Sequence, residues 1–104
     1  MTYAEFLKIG NYRIDDIKKL CDYGTDRFFF SKDTMKFFNS RTSDLCWEKG
    51  NLIYFITSEK YDNDPRLYTV RSCDPKGHIE TKEDMKKIET LYQARNEIKN
   101  ILKI

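Results

Sequence analysis

Lys49-Gly50-Asn51-Leu52-Ile53-Tyr54-Phe55-Ile56-Thr57 is a turn signal followed by a short run that is apolar, aromatic and β-branched throughout. Such a run reads as a strand, because it is too short for a helix and its residue types suit a pleated surface. Side chains alternate along a strand, so Leu52, Tyr54 and Ile56 share one face and Ile53 and Phe55 the other. Both faces are apolar, which predicts a central strand covered on both sides. Working outward, Leu45 and Trp47 alternate with polar neighbours before the turn, and residues 67–71 alternate again after it. Residues 42–73 therefore read as a three-stranded antiparallel meander. The link between its second and third strands contains Asp62-Asn63-Asp64-Pro65, a polar turn whose proline is barred from an interior ladder position.

On either side the period becomes helical. Tyr3, Phe6, Leu7 and Ile9 form a short amphipathic helix that Gly10 can end, and Ile14, Ile17, Leu20 and Cys21 line one face of a second helix stopped by Gly24. The aromatic run 27–30 suggests a short buried strand. Ser31 is placed to cap a helix running to about Asn39, with Met35 and Phe38 on one face and Phe37 beside them, so that it would dock by large side chains. Asp74-Pro75-Lys76-Gly77 is a turn, and residues 78–81 can add a fourth strand. Two starts remain open for the last helix. Thr81 would place Glu83 and Asp84 in the first turn; Thr90, preferred here, matches a capping box with Gln93. Leu91, Ala94, Ile98, Ile101 and Leu102 then form its buried stripe.

The expected fold class is α+β: an N-terminal helical segment (1–27), a short strand and helix, a three- to four-stranded antiparallel sheet, and a C-terminal helix packed on it. At 104 residues one domain is the default, with 28–104 as its α+β core. Basic and acidic residues number 19 and 17 and are mixed along the whole chain, so there is no basic arm or acidic tail. No window has the apolar length of a membrane span, and Glu5 and Lys8 interrupt the start where a secretory signal would be continuous. A soluble protein that stays in the cytoplasm is expected. Cys21, Cys46 and Cys73 are odd in number and widely spaced, consistent with small buried hydrophobes in a reducing compartment.

Chemistry-bearing patterns are sparse. His78 is the sole histidine and sits beside Gly77 in a turn, with no sequence cue for an oriented partner. Cys21, Cys46, Cys73 and His78 are zinc-ligand types without the close pairs of a zinc site, and Asp62, Asn63 and Asp64 lack the glycine and distal glutamate of a calcium loop. No glycine-rich phosphate cradle occurs, and the paired carboxylates Asp15-Asp16 and Glu83-Asp84 read as solvated charge. No catalytic residue, metal or cofactor is expected. Nucleic-acid binding is one open reading, with Lys49, Lys60, Arg66 and Arg71 rimming strands that carry Tyr54, Phe55 and Tyr68. Lys49-Gly50 begins like an RNA-recognition motif, but Asn51 replaces its aromatic. The helix–strands–helix order is similar to double-stranded-RNA-binding domains, with the basic cluster at the last helix diluted by Glu83, Asp84 and Glu89.

Three segments carry a more specific likeness: the stretch 29–41, FFSKDTMKFFNSR; the stretch 54–59, YFITSE; and the stretch 68–71, YTVR, followed by Ala94-Arg95 in the last helix. Over roughly residues 28–103 the chain resembles a family of small bacteriophage and mobile-element proteins that share this succession, whereas 1–27 reads as an added segment. The resemblance implies a phage or prophage product in the bacterial cytoplasm that acts without catalysis by occupying a protein, as an anti-CRISPR inhibitor of a defence effector does. A domain of this size blocks a partner through about 800 Å² per side, anchored by aromatic and arginine side chains. Arg41, Trp47, Tyr61, Arg66 and Arg71 are the candidate anchors.

Overall fold

The computed structural model describes residues 1–37, 39–83 and 88–104. The elements run α1 (Tyr3–Lys8), β1 (Tyr12–Arg13), α2 (Ile14–Cys21), α3 (Lys32–Phe37), β2 (Arg41–Thr42), β3 (Leu45–Lys49), β4 (Leu52–Glu59), β5 (Leu67–Cys73), β6 (Ile79–Glu83) and α4 (Leu91–Leu102). Every strand pairing among the described residues is antiparallel, in the order β1-β3-β4-β5-β6, with β2 also on β4. The fold is therefore α+β as expected, with the meander and fourth strand in place. The two-residue strands β1 and β2 are additions that the sequence pattern does not signal. Gly50 begins the two-residue β3–β4 turn at φ 65°, a conformation open to glycine without a Cβ penalty.

The two-faced character of β4 organises everything else. Tyr54 and Ile56 enter one core with Phe6, Trp47, Val70, Ile88, Ala94, Ile98 and Leu102, so α1 and α4 cover that face. Ile53 and Phe55 enter a second core with Ile14, Ile17, Cys21, Cys46 and Cys73, which places α2 on the opposite face. Residues 1–27 are thus no appendage, because α1 fills one core and α2 the other. Thr90 starts α4: its hydroxyl accepts from the Gln93 amide at 3.1 Å while the Gln93 side chain accepts from the Thr90 amide at 3.2 Å. Thr81 instead lies in β6, opposite Arg71. Ile88, missed by the stripe, joins the first core.

Two local expectations are corrected. Residues 27–30 form successive turns rather than a strand, with the Phe29 amide donating to the Asp26 carbonyl and the Ser31 amide to that of Phe28. The aromatic bias reflects burial alone: Phe29 and Phe30 pack around Phe55, at centroid distances of 6.3 and 6.0 Å, without joining the ladder. Helix α3 begins as expected, with the Ser31 hydroxyl accepting from the Thr34 amide at 3.3 Å. It does not dock by its large side chains among the described residues: none is buried, and Phe37 is 78% exposed. Phe38, assigned to its apolar face, lies outside the described residues. Asn39, at φ 47°, follows in the left-handed region that asparagine tolerates.

The turn segment is held to the sheet by glycine-to-glycine contact. Thr25 and Asp26 amides donate to the Lys76 and Gly77 carbonyls, each at 3.0 Å. Gly77 has φ 73°, and a Cβ there would stand 2.5 Å from the Leu20 carbonyl oxygen and 2.9 Å from Gly24 Cα. Gly77→Ala should therefore cost about 2 kcal/mol or more, read as a lower urea midpoint; a loss under about 0.5 kcal/mol would show that the backbones separate freely.

Candidate partner-binding surface

The structure divides the sequence-selected residues between surface and interior. Arg41, Arg66 and Tyr68 come together, lining a groove of about 190 Å³ with Thr42, Ser43, Ser58 and Leu91. Strand β2 brings Arg41 opposite Ser58 on β4, and Ser58 in turn faces Tyr68 on β5. Arg66 fixes this end: its Nη1 donates to the carbonyls of Asn39 at 3.0 Å and Ser58 at 3.2 Å, and to the Ser58 hydroxyl at 2.9 Å. Exposed Lys60 and Tyr61 follow β4 directly, on the linker to β5. Asp64 donates its amide to the Tyr61 carbonyl at 2.9 Å, so the Asp62-Asn63-Asp64-Pro65 stretch is a closed turn.

Trp47 and Arg71 serve the interior. Trp47 is 1% exposed, stacked on Phe6 at 4.6 Å, with its indole N–H donating to the Phe6 carbonyl at 2.9 Å. It anchors α1 to the sheet and presents no surface to a partner. Arg71 lies on the opposite sheet face from Tyr68 and completes a buried polar network. Glu59, 4% exposed, accepts from Thr57 Oγ1 at 2.9 Å, Thr69 Oγ1 at 3.0 Å and Arg71 Nη2 at 3.2 Å. Arg71 Nε also donates to Thr57 Oγ1 and Nη1 to Thr81 Oγ1, both at 2.9 Å, while its guanidinium lies 5.2 Å from the Phe29 ring centre.

The nucleic-acid set is likewise dispersed. Tyr54 is a core residue under α4, and Lys49 at the β3–β4 hairpin donates to the last carbonyls of α4, Ile101 and Leu102, each at 3.4 Å. There it complements the negative end of the helix dipole. With helices over both faces of β4, Tyr54 and Phe55 are buried and offer no ring to a base. Only Lys60, Arg66 and Tyr68 of that set share one end of the sheet.

Surface aromatics that sequence reasoning missed lie in the 22–37 stretch: Tyr23 is 99% exposed and Phe28 67%. Arg27 sits over the Phe28 ring at 5.1 Å. For Tyr23 the available signal was its place between Asp22 and Gly24; Phe28, inside the aromatic run 27–30, carries none.

His78 does find partners. Its Nδ1 is 3.1 Å from Asp26 and its Nε2 is 3.5 Å from Glu80, at the surface beyond the Asp74 turn. Cys21 and Cys73, remote in sequence, place their sulfurs 4.0 Å apart in the second core; Cys46 lies apart and donates to the Asp44 carbonyl. The shared hydrogen bond raises the Cys21 thiol above its ordinary value and lowers that of Cys73. Burial pushes Cys46 up to about 12. Among the described residues no cluster of three His, Cys, Asp or Glu could hold a metal, and no helix is long and apolar enough to cross a membrane.

The described residues thus form an antiparallel sheet cored on both faces, with Arg41, Arg66 and Tyr68 gathered at one end. The chain belongs to a family of unknown function, DUF7447, matched over residues 13–99. No curated protein and no solved structure matches it.

Two measurements check this site. Removing the Arg71 side chain leaves the Glu59 carboxylate buried without its cation, so Arg71→Ala should cost about 3 kcal/mol while Arg41→Ala stays within about 0.5 kcal/mol. Equal costs in denaturant unfolding would refute the division. At pH 8 a thiol with a value near 12 is thiolate in about one molecule in ten thousand, so Cys46 should resist iodoacetamide in the native protein and react after denaturation, as read by peptide mass.

Proposed function

We propose that this protein is a non-enzymatic, phage-type protein-binding module of the bacterial cytoplasm that inhibits a host defence effector of the CRISPR type. The observation that carries the binding reading is the convergence of Arg41, Arg66 and Tyr68 on one groove, with Lys60 and Tyr61 on the adjoining turn. Arginine and tyrosine are the residue types that dominate interface energetics, and Arg66 is already held in place by three acceptors, which reduces the entropy lost on docking. The inhibitor reading rests on the resemblance of the FSKDTM, YFITSE and YTVR segments to those of small mobile-element proteins. Two of those segments have a structural explanation as well. YFITSE and YTVR are paired across β4 and β5, with Thr57 opposite Thr69 and Phe55 opposite Arg71, and they supply Glu59, Thr57, Thr69 and Arg71 of the buried network. The signature therefore supports the scaffold, and recognition falls to the residues around it.

The test expresses the protein in bacteria whose CRISPR-type nuclease restricts a phage, alongside titration of the purified nuclease. Wild type should restore plating and bind with an affinity that Arg41→Glu and Tyr61→Ala each lower by about tenfold or more, with the melting temperature of Arg41→Glu unchanged. No rescue and no complex, together with oligonucleotide binding that falls steeply between low and moderate salt, would replace this reading with nucleic-acid binding.

A further inference from the structure

A second groove, larger than the one lined by Arg41, lies at the far end of the sheet, between α2 and the β3–β4 hairpin, and has a volume of about 460 Å³. It is lined by Tyr12, Leu20, Ile53, Cys73 and Pro75, with Asp16, Glu48 and Asp74 as its carboxylates and Lys19 and Asn51 completing the rim. That volume is within the range of small-molecule sites, which are mainly apolar with a few fixed polar groups.

The charges are unequal, and two of the carboxylates are held. Three acidic residues face one lysine, a net excess of two negative charges around an apolar wall. Asp16 Oδ2 accepts from the Arg13 amide at 2.8 Å, capping α2. Asp74 Oδ1 accepts from the amides of Lys76 at 2.9 Å and His78 at 3.0 Å, and these bonds hold its carboxyl below the usual carboxylate range. The Glu48 carboxylate acts on the Tyr12 phenol and raises it above its ordinary value. Asp16 and Asp74 are thereby oriented before any ligand arrives, and Glu48 adds a third negative charge to the rim.

We propose that this groove is a binding site for a small organic cation with an apolar body, such as an arylalkyl ammonium: the body rests on Leu20, Ile53 and Pro75, and the ammonium faces Asp16, Glu48 and Asp74. The site stands apart from the Arg41 groove, shares no residue with it, and holds whether or not the inhibitor reading does.

Phenethylammonium is the probe, compared with 2-phenylethanol and 3-phenylpropanoate, by two-dimensional NMR titration of the full chain. The expected result is saturable binding below about 10 mM, with the amides of Tyr12, Glu48 and Ile53 shifting and with the alcohol and the anion at least about threefold weaker. Glu48→Gln, on an exposed strand position, should weaken the ammonium and leave the alcohol unchanged. Binding that ignores probe charge, shifts located elsewhere, or no saturation by about 10 mM would each overturn the proposal.

Discussion

A strand that is apolar on both faces has to be covered twice. In β4 this requirement places α1 and α4 over Tyr54 and Ile56, and α2 with the 26–31 turns over Ile53 and Phe55. Removing water from those side chains is the main favourable contribution available to a chain of this length, and neither face can be left bare without losing part of it. The consequence for function is geometric. A sheet sealed on both sides has only its ends, edges and connecting loops for recognition, and the two grooves described above lie at opposite ends of it.

Legibility followed the range of the interactions. The double-faced strand, the Gly50 turn, the Ser31 cap and the Thr90 capping box are patterns within a few residues, and each is where the sequence places it. Where the deciding partner was distant, the local pattern misled. Residues 27–30 have strand-like composition because Phe29 and Phe30 meet Phe55, a contact that composition registers only as burial. Trp47 resembles an anchor until Phe6, 41 residues away, stacks on it and takes its N–H. The proximity of Cys21 to Cys73, and of Gly24 to Gly77, arises from the packing of α2 against the second core and has no signature along the chain.

The candidate site was half readable for the same reason. Arg41 and Arg66 stand out by residue type and position beside strands, and the pairing of β2 with β4 brings them together. Arg71 has the same type and a similar position, yet strand alternation turns it to the other face, where Glu59 is waiting among threonines. The period of two thus separates a surface arginine from a structural one, provided that the partner across the strand is known. A buried carboxylate meeting a guanidinium and two hydroxyls is costly to disrupt, and such satisfied networks restrict how β4 and β5 can align.

The first and last helices are tied directly. Tyr3 lies against Tyr92 at 4.9 Å, Arg95 donates to the Tyr3 hydroxyl across 92 residues, and Lys99 donates to the Met1 carbonyl across 98. During vectorial synthesis α1 emerges early, but its docking surface is incomplete until α4 has been made. The second core can close around Phe55 once β5 has emerged, whereas the first waits for α4. Such long-range closure slows folding, and the nascent chain passes through an interval in which Phe6 and Trp47 can meet each other while the far side of their core is still missing.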